Sequence, residues 1–490
     1  MKIELACDDG AFAVNYIQSL VLLFKPCEKF GEGENDSRLV FVVKREGESF
    51  FGRALLETDG KVCEKSMSCP ISFYEASKNP AKCFAGKLFL SLFSEVFGYK
   101  PPWGMLTGVR PARFALDYLL SGYSAEKTKQ IFVEMYHTDP EKADLAIRVA
   151  LCEMKVLEQE RVRQFSLYVG IPFCPSRCRY CSFVSYATPK LLSLLPEYLE
   201  MLKFEVQMLC ETAKEAGLDL KSVYVGGGTP SVLSSEQMAD FVPAIRSFIG
   251  DKNVEFTYEA GRPDTVTKDK LSILADCGVN RLSINTQTTN DTILQSVGRC
   301  HTFEDYKKAF FLAKNMDFAI NTDLIAGLPG ESVESFCKSI DDVLFISPDN
   351  ITVHSFSLKK SSEYTVCGQT FDNSDRSIDK MLSYSSASMK ENGYFPYYMY
   401  RQKNTDGNFE NVGYTNSENA IACYNIYMME GFHSVLAAGA GASTKLVSRN
   451  LSTTGKIYNP KYPYEYLRAK DDILKNKEQI LLFYKEKYEK

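Results

Sequence analysis

The run LYVGIPFCPSRCRYCSF, Leu167–Phe183, joins a strand-like apolar segment to a loop that holds three cysteines. Leu167–Ile171 has the continuous apolar character of a strand buried on both faces. Pro172 and Pro175 end it, because proline lacks the N–H a ladder needs. Cys174, Cys178 and Cys181 therefore lie on a loop at the carboxyl end of a strand, where α/β folds build their sites. Ser176, Arg177 and Arg179 would be poor company for three unrelated core cysteines. Three thiolates in one short loop can wrap three irons of a [4Fe–4S] cube and leave the fourth iron without a protein ligand. An open position is what separates a catalytic metal from a structural one. The competing reading is zinc, which would need a fourth Cys or His, and none lies nearby in the sequence.

The composition narrows the chemistry further. The chain has 490 residues, more than one compact core usually holds, so two or three domains are expected. It carries 15 Cys but only 4 His (137, 301, 354 and 433), so any metal must be held by thiolates rather than by a histidine cage. A net charge of −5 argues against a general binder of nucleic acid or anionic membrane, both of which call for a basic surface. Asp8 and Asp9 interrupt what would be the basic start of a signal peptide, and Asn15 and Gln18 break the apolar stretch after it. No apolar run is long enough for a membrane span. The expected location is the cytoplasm, where thiols stay reduced. Cys152, Cys210, Cys277 and Cys337, set in helix-like patterns, read as small buried hydrophobes.

Outward from the cysteine loop a β/α rhythm takes over. Strand-like runs are expected at 167–171, 222–225, 254–259, 281–285, 319–325 and 350–355. Helical patterns fill the intervals at 191–216, 235–249, 267–277, 303–316 and 333–345, and a further helix at 375–392 closes the series. Right-handed crossovers then give a parallel sheet. Eight units are not visible, so a closed eightfold barrel is not expected: the fold class is α/β, either a doubly wound sheet or an incomplete (β/α)6 parallel barrel. Around it, residues 1–100 read as a small α+β N-terminal domain without a chemical motif. Residues 101–163 read as a helical connector, 164–395 as the core, and 396–490 as a C-terminal α+β extension covering the active site.

Polar residues recur at the carboxyl ends of these strands. Gly226-Gly227-Gly228-Thr229-Pro230 follows the second, where consecutive glycines let a backbone approach a ligand and present N–H groups to it. Glu259 ends the third, Asn285 and Gln287 follow the fourth, Asp323 sits on the fifth, and His354–Ser357 end the sixth. Each alone is a satisfied strand-end residue; together they line the catalytic face of such a fold.

C-x3-C-x2-C with Tyr180 before its last cysteine, together with the GGGTP loop, resembles the radical S-adenosylmethionine superfamily. Tyr168 in Tyr-x-Gly-Ile-Pro-Phe-Cys, GVNRLSINTQ (278–287), VGR (297–299) and DLIAGLPGES (323–332) resemble its oxygen-independent coproporphyrinogen III dehydrogenases. WGMLTGVRPAR (103–113) and YYMYRQKNTDGNFENVGY (397–414) resemble the HemZ-type branch. Of the two folds, the resemblance implies the incomplete (β/α)6 parallel barrel. It also implies that Cys174, Cys178 and Cys181 ligate a [4Fe–4S] cluster whose open iron takes S-adenosylmethionine. Tyr168, Gly227 and Glu259, with Ser443 in GAGAST, match contacts to that cosubstrate. Tyr180, Gly228, Thr229, Gln287, Arg299, Asp323 and Ser357 match contacts to a second S-adenosylmethionine. Tyr168, Glu259 and Arg299 are the residues expected to matter most to catalysis. The implied reaction is reductive cleavage of the sulfonium, hydrogen abstraction from a propionate and loss of carbon dioxide with one electron passed to a final electron acceptor, leaving a vinyl group. The implied partners are a tetrapyrrole substrate and a small electron donor such as flavodoxin or ferredoxin. A tetracarboxylate substrate needs cations, for which Lys359, Lys360, Arg401 and Lys403 are candidates.

Three positions depart from that family's pattern. Phe183 stands where a further Cys is usual, Gly170 where His precedes Ile-Pro-Phe-Cys, and Ser357 where a small apolar residue is usual. These bear on the second cosubstrate and on the decarboxylation, and leave the cluster loop intact. A haem chaperone of the same superfamily is the rival reading. Such chaperones carry His-Asn-x-x-Tyr-Trp, whose counterpart here, Tyr424-Asn425-Ile426-Tyr427-Met428-Met429, lacks both His and Trp. A radical tetrapyrrole methyltransferase is the third.

Overall fold

The structure is a computed structural model. It describes the chain except residues 9–11, 27, 32–36, 158–162, 182–184, 251–252, 359–361, 368–375, 403–407, 449–453 and 488–490. Phe183, Lys359, Lys360 and Lys403 lie outside the described residues. The chain forms two compact units, one of residues 1–152 with 399–410, the other of 153–398 with 411–490.

The first unit is built on a sheet of β1 (Lys2–Cys7), β2 (Arg38–Glu46), β3 (Ser49–Thr58) and β4 (Lys61–Pro70), in that order, with β1 parallel to β2 and the rest antiparallel. Alternate residues of β3 are buried, as a half-buried sheet requires. The helix Pro80–Phe97 packs on it through Phe84 and Leu88, and Gly52 leaves the space they fill, since a Cβ there would stand 2.6 Å from Leu88. Segment 399–410 belongs to this unit through a buried polar cluster. Glu410 accepts from the indole N–H of Trp103 at 2.8 Å and is paired with Lys142. Arg401 is 3% exposed, donates to the carbonyls of Asn408, Leu106 and Gly108, and lies 5.4 Å from the Trp103 ring centre. Burial lowers it to about 10. Its expected role as a cation for substrate carboxylates is therefore corrected: the guanidinium is spent on backbone carbonyls and pins the WGMLTGVRPAR loop.

The second unit contains six consecutive parallel strands, β5 (Gln164–Ile171), β6 (Asp219–Gly227), β7 (Glu255–Gly261), β8 (Arg281–Ile284), β9 (Ala319–Ala326) and β10 (Asn350–Ser355). The crossover helices are Leu195–Glu215, Ser235–Ile249, Lys268–Asp276, Phe303–Lys314 and Val333–Ile346, within a few residues of the sequence reading. Their starts are written locally: Ser234 with Gln237 and Thr302 with Asp305 form capping boxes. After β11 (Phe395–Arg401) and β12 (Glu410–Thr415), the chain adds β13 (Ser434–Ala438), β14 (Ser443–Val447) and β15 (Thr454–Tyr458) to the same sheet. The order is β11-β12-β10-β9-β8-β7-β6-β5-β13-β14-β15. β13 runs parallel to β5, so the strand leading into the cysteine loop is flanked on both sides. The end strands β11 and β15 are not neighbours, which leaves the (β/α)6 barrel incomplete. No helix of the described residues is long and apolar enough to cross a membrane.

One buried carboxylate ties this sheet together. Glu205, 2% exposed, accepts from the Gly439 N–H at 2.8 Å, Asn459 at 2.8 Å and the Tyr466 hydroxyl at 2.6 Å. Tyr198 donates to the Gly170 carbonyl at 2.7 Å and accepts from the Ala440 N–H at 2.9 Å. The turn after β13 is thereby fixed against the end of β5. Gly439 sits at φ +108°, and a Cβ there would meet the Gly170 carbonyl at 2.4 Å. Gly439→Ala is expected to cost about 2–3 kcal/mol by combining backbone strain with a clash, checked by denaturant unfolding.

Candidate active site

The residues after β5 turn back on themselves. The Cys174 N–H donates to the Tyr186 carbonyl at 3.0 Å, and the Cys181 N–H to the Cys178 carbonyl at 3.0 Å. Arg179 N–H reaches the Val297 carbonyl at 3.0 Å, fastening the loop to the VGR segment. Arg262, 3% exposed and paired with Asp264 at 2.8 Å, donates to Ser176 Oγ at 2.5 Å and holds it from the β7 side. Cys174 is buried, and Thr229 Oγ1 lies 3.4 Å from its Sγ. Burial pushes this thiol up and the Thr229 contact lowers it; nearby Cys181 and Cys178 raise it. The thiols are thus electrostatic neighbours. Among the described residues no three Cys, His, Asp or Glu are gathered as ligands of a single ion would be. Thiolates that each bind a different iron of a cluster stand further apart than that.

The glycine loop fits closely beneath. A Cβ at Gly228 would lie 2.5 Å from the Phe173 carbonyl oxygen, so only glycine lets β6 pass beside the cysteine loop here. Gly228 N–H donates to the Ile171 carbonyl at 2.9 Å and Thr229 N–H to that of Phe173 at 2.8 Å.

Next to it stands Glu259, accepting from the Tyr224 hydroxyl at 2.5 Å and the Gly227 N–H at 3.1 Å. Burial pushes its carboxyl up to about 7; those two hydrogen bonds pull it down, and Asp323 pushes it up. Tyr168 and Tyr224, cross-strand partners, stack at 6.3 Å, and Tyr424 stacks on Tyr224 at 4.5 Å. Of the three rings, only Tyr168 stands among the residues expected at the site. Tyr224 falls two residues before the glycine loop, in phase with its strand, whereas the approach of Tyr424 rests on a tertiary contact.

Arg299, 6% exposed, donates to the Asn285 carbonyl at 2.6 Å, the Gly261 carbonyl at 3.2 Å and the Tyr180 hydroxyl at 3.3 Å. Asp323 accepts from Asn321 at 2.8 Å and lies 3.7 Å from His354. Gln287 takes φ +74° and donates its N–H to the Asp323 carbonyl at 2.9 Å. Ser443 opens β14 as an exposed residue, opposite Tyr458 of β15.

Three of the residues expected to face ligand carry buried polar atoms without a protein partner: Gln287 Oε1, Arg299 Nε and Ser357 Oγ. A buried orphan costs about 1–3 kcal/mol unless something satisfies it. An acceptor, a cationic donor and a hydroxyl suit a ligand with amino, carboxylate and hydroxyl groups, as S-adenosylmethionine has. The thiols, the orphans and Glu259 therefore fit the cluster and its cosubstrate.

Comparison with known proteins agrees. The radical SAM superfamily model matches residues 168–343. The chain is 36% identical over 403 residues to the oxygen-independent coproporphyrinogen-III oxidase-like protein HemZ of Bacillus subtilis, covering 80% of each chain. It is 37% identical over 193 residues to the haem chaperone HemW of the same organism, covering 39% of this chain and 50% of that one. The coproporphyrinogen III oxidase HemN of Escherichia coli, a radical SAM enzyme, shares the fold at TM-score 0.51 with 23% identity, over 66% of this chain and 72% of that one. With its cysteine loop, glycine loop and strand-end residues on one parallel sheet, the chain belongs to the radical SAM superfamily, within its HemN/HemZ-type family.

Proposed function

We propose that this protein is an oxygen-independent coproporphyrinogen III dehydrogenase, converting two propionates of its substrate to the vinyl groups of protoporphyrinogen IX. The observation that carries this reading is the orphaned set Gln287 Oε1, Arg299 Nε and Ser357 Oγ on the face that bears the thiols. Cys174, Cys178 and Cys181 would hold the cluster. When bound, the cluster and S-adenosylmethionine supply one-electron reduction and hydrogen-atom abstraction.

The chain's own residues bind, orient and exclude water. The Tyr168–Tyr224–Tyr424 ladder walls one side of Glu259 and keeps that carboxyl dry. Glu259 offers a carboxylate to the ammonium or ribose hydroxyls of the first cosubstrate, and Gly227 and Ser443 complete that set. Arg299 orients a carboxylate of the second, beside Tyr180, Gly228, Thr229, Gln287, Asp323 and Ser357. Arg299 is anchored through two carbonyls and a phenol at once, which a lysine cannot reproduce. Arg299→Lys is expected to lower S-adenosylmethionine cleavage about 10- to 100-fold, the worth of a charged hydrogen bond or two, read as 5′-deoxyadenosine formed under anaerobic reduction. We place the protein in a reducing cytoplasm with a flavodoxin- or ferredoxin-like donor, a setting in which the cluster thiolates stay reduced.

The likeness to HemW supports haem chaperoning as the second reading. Against it, the segment that would carry the chaperone histidine presents Tyr424, buried against Tyr224. The deciding experiment incubates the reduced protein with S-adenosylmethionine and coproporphyrinogen III without oxygen. Protoporphyrinogen with two 5′-deoxyadenosines per product supports the dehydrogenase. Methylated tetrapyrrole overturns it in favour of methyl transfer, and tight haem binding without turnover overturns it in favour of the chaperone.

A further inference from the structure

The first unit carries a pocket of about 300 Å³, open to solvent on one side and lined by residues from four separate stretches of chain. That is the lower end of ligand cavities, which run from about 300 to 1,000 Å³. Its walls are apolar and aromatic: Tyr16, Met105, Leu106, Pro111, Phe114 and Tyr136. Its polar side is a hydroxyl–thiol chain in which Ser77 Oγ lies 2.9 Å from Cys83 Sγ and 3.3 Å from the Tyr136 hydroxyl, itself 3.1 Å from that of Tyr118.

The charges lining it are of one sign. Lys78, Lys82 and Arg110 contribute, and no Asp or Glu lines it. Asp117, the nearby acid, is engaged by Lys78 and by Arg113, each at 3.0 Å, and lies outside the lining. Lys82 Nζ is held 4.5 Å above the Tyr16 ring, a cation–π contact that keeps its charge over the cavity. Gly86 shows that the walls are fitted: a Cβ there would stand 2.5 Å from the Tyr16 hydroxyl and 2.6 Å from Met105 Sδ. Any side chain at 86 would push two walls inward or apart.

We propose that this unit binds a small amphipathic anion, with a flat apolar body between Tyr16, Met105 and Phe114 and a single carboxylate or phosphate at Lys82 and Arg110. Apolar walls supply the affinity and the one-signed rim supplies the specificity. The inference is independent of the reading of the second unit.

Trp103, the only tryptophan of the chain, is 1% exposed and stands two residues before Met105 and three before Leu106, both of which line the pocket; its carbonyl accepts from the Leu106 N–H at 3.0 Å. The intact chain is titrated with 4-phenylbutyrate, with phenyl phosphate and with the neutral 4-phenylbutan-1-ol, following Trp103 emission and, independently, the heat of binding. Saturable binding of at least one anion, about tenfold or more tighter than the alcohol, supports the proposal; the stronger anion identifies the head group. A Lys82→Gln, Arg110→Gln variant, altered only at exposed side chains, is expected to lose that preference while melting at the same temperature. Equal binding of acid and alcohol, absence of saturation in both measurements, or an unchanged preference in the variant overturns it.

Discussion

Cys178→Ala is expected to yield a folded protein that retains no cluster iron or sulfide after reconstitution and forms no 5′-deoxyadenosine. The thiol is half-buried, and its backbone carbonyl, which the Cys181 N–H engages at 3.0 Å, survives the substitution. The loop keeps its other ties, Arg179 to Val297 and Arg262 to Ser176, so loss of the side chain leaves the scaffold standing. Two thiolates and an exposed edge cannot hold a cube whose fourth iron is already without a protein ligand. Iron and sulfide content, visible absorption and product analysis read the result together. A variant that retains its cluster would overturn the ligand assignment, whatever its activity.

The second large effect is a pH dependence that runs opposite to ordinary acid denaturation. Burial pushes three carboxyls, Glu205, Glu259 and Glu331, up to about 7. Between the unfolded carboxylate range near 4.5 and that value, the folded chain binds more protons at these sites than the unfolded chain does. Stability therefore falls as pH rises through the window and levels off above it, by about 3 kcal/mol per site at full effect. Glu259→Gln removes one of the three. Glutamine carries one acceptor oxygen and one donor group, as the protonated acid does, so the variant should match the parent near pH 5 and melt higher than it at pH 8. The same change removes a carboxylate from the site, and cosubstrate cleavage should drop about 10- to 100-fold. Thermal melts across pH 5–8 on both proteins check the first part; a variant no more stable than its parent at pH 8 refutes the assigned burial cost.

What could be read without coordinates follows from the range of each interaction. Strands β5, β8 and β10 were legible because each is a short run buried on both faces, and the six strands from β5 to β10 are spaced by helical patterns and bounded by polar or glycine turns. Cys174, Gly228 and Glu259 were legible because they fall at fixed offsets from those strand ends. Three things were not. The parallel pairing of β13 with β5 joins residues far apart in sequence and leaves no periodic trace. Tyr424 meets Tyr224 only through that folding back. Arg401 looked like a free cation because nothing local shows that the carbonyls of Leu106 and Gly108 would claim it.

The placement of β13 has a consequence for how the protein is made. During synthesis the strand that leads into the cysteines emerges some 270 residues before the one that closes its other flank. Until residues 434–438 leave the ribosome, β5 has an unpaired edge, the Gly170 carbonyl lacks its neighbour Gly439, and Glu205 lacks three of its donors. Edges of that kind invite mispairing, and domains otherwise tend to fold in order of emergence. The strand that leads into the cysteines therefore keeps an open edge until residues 434–438 reach it, the stage of synthesis at which β5 is most exposed to mispairing.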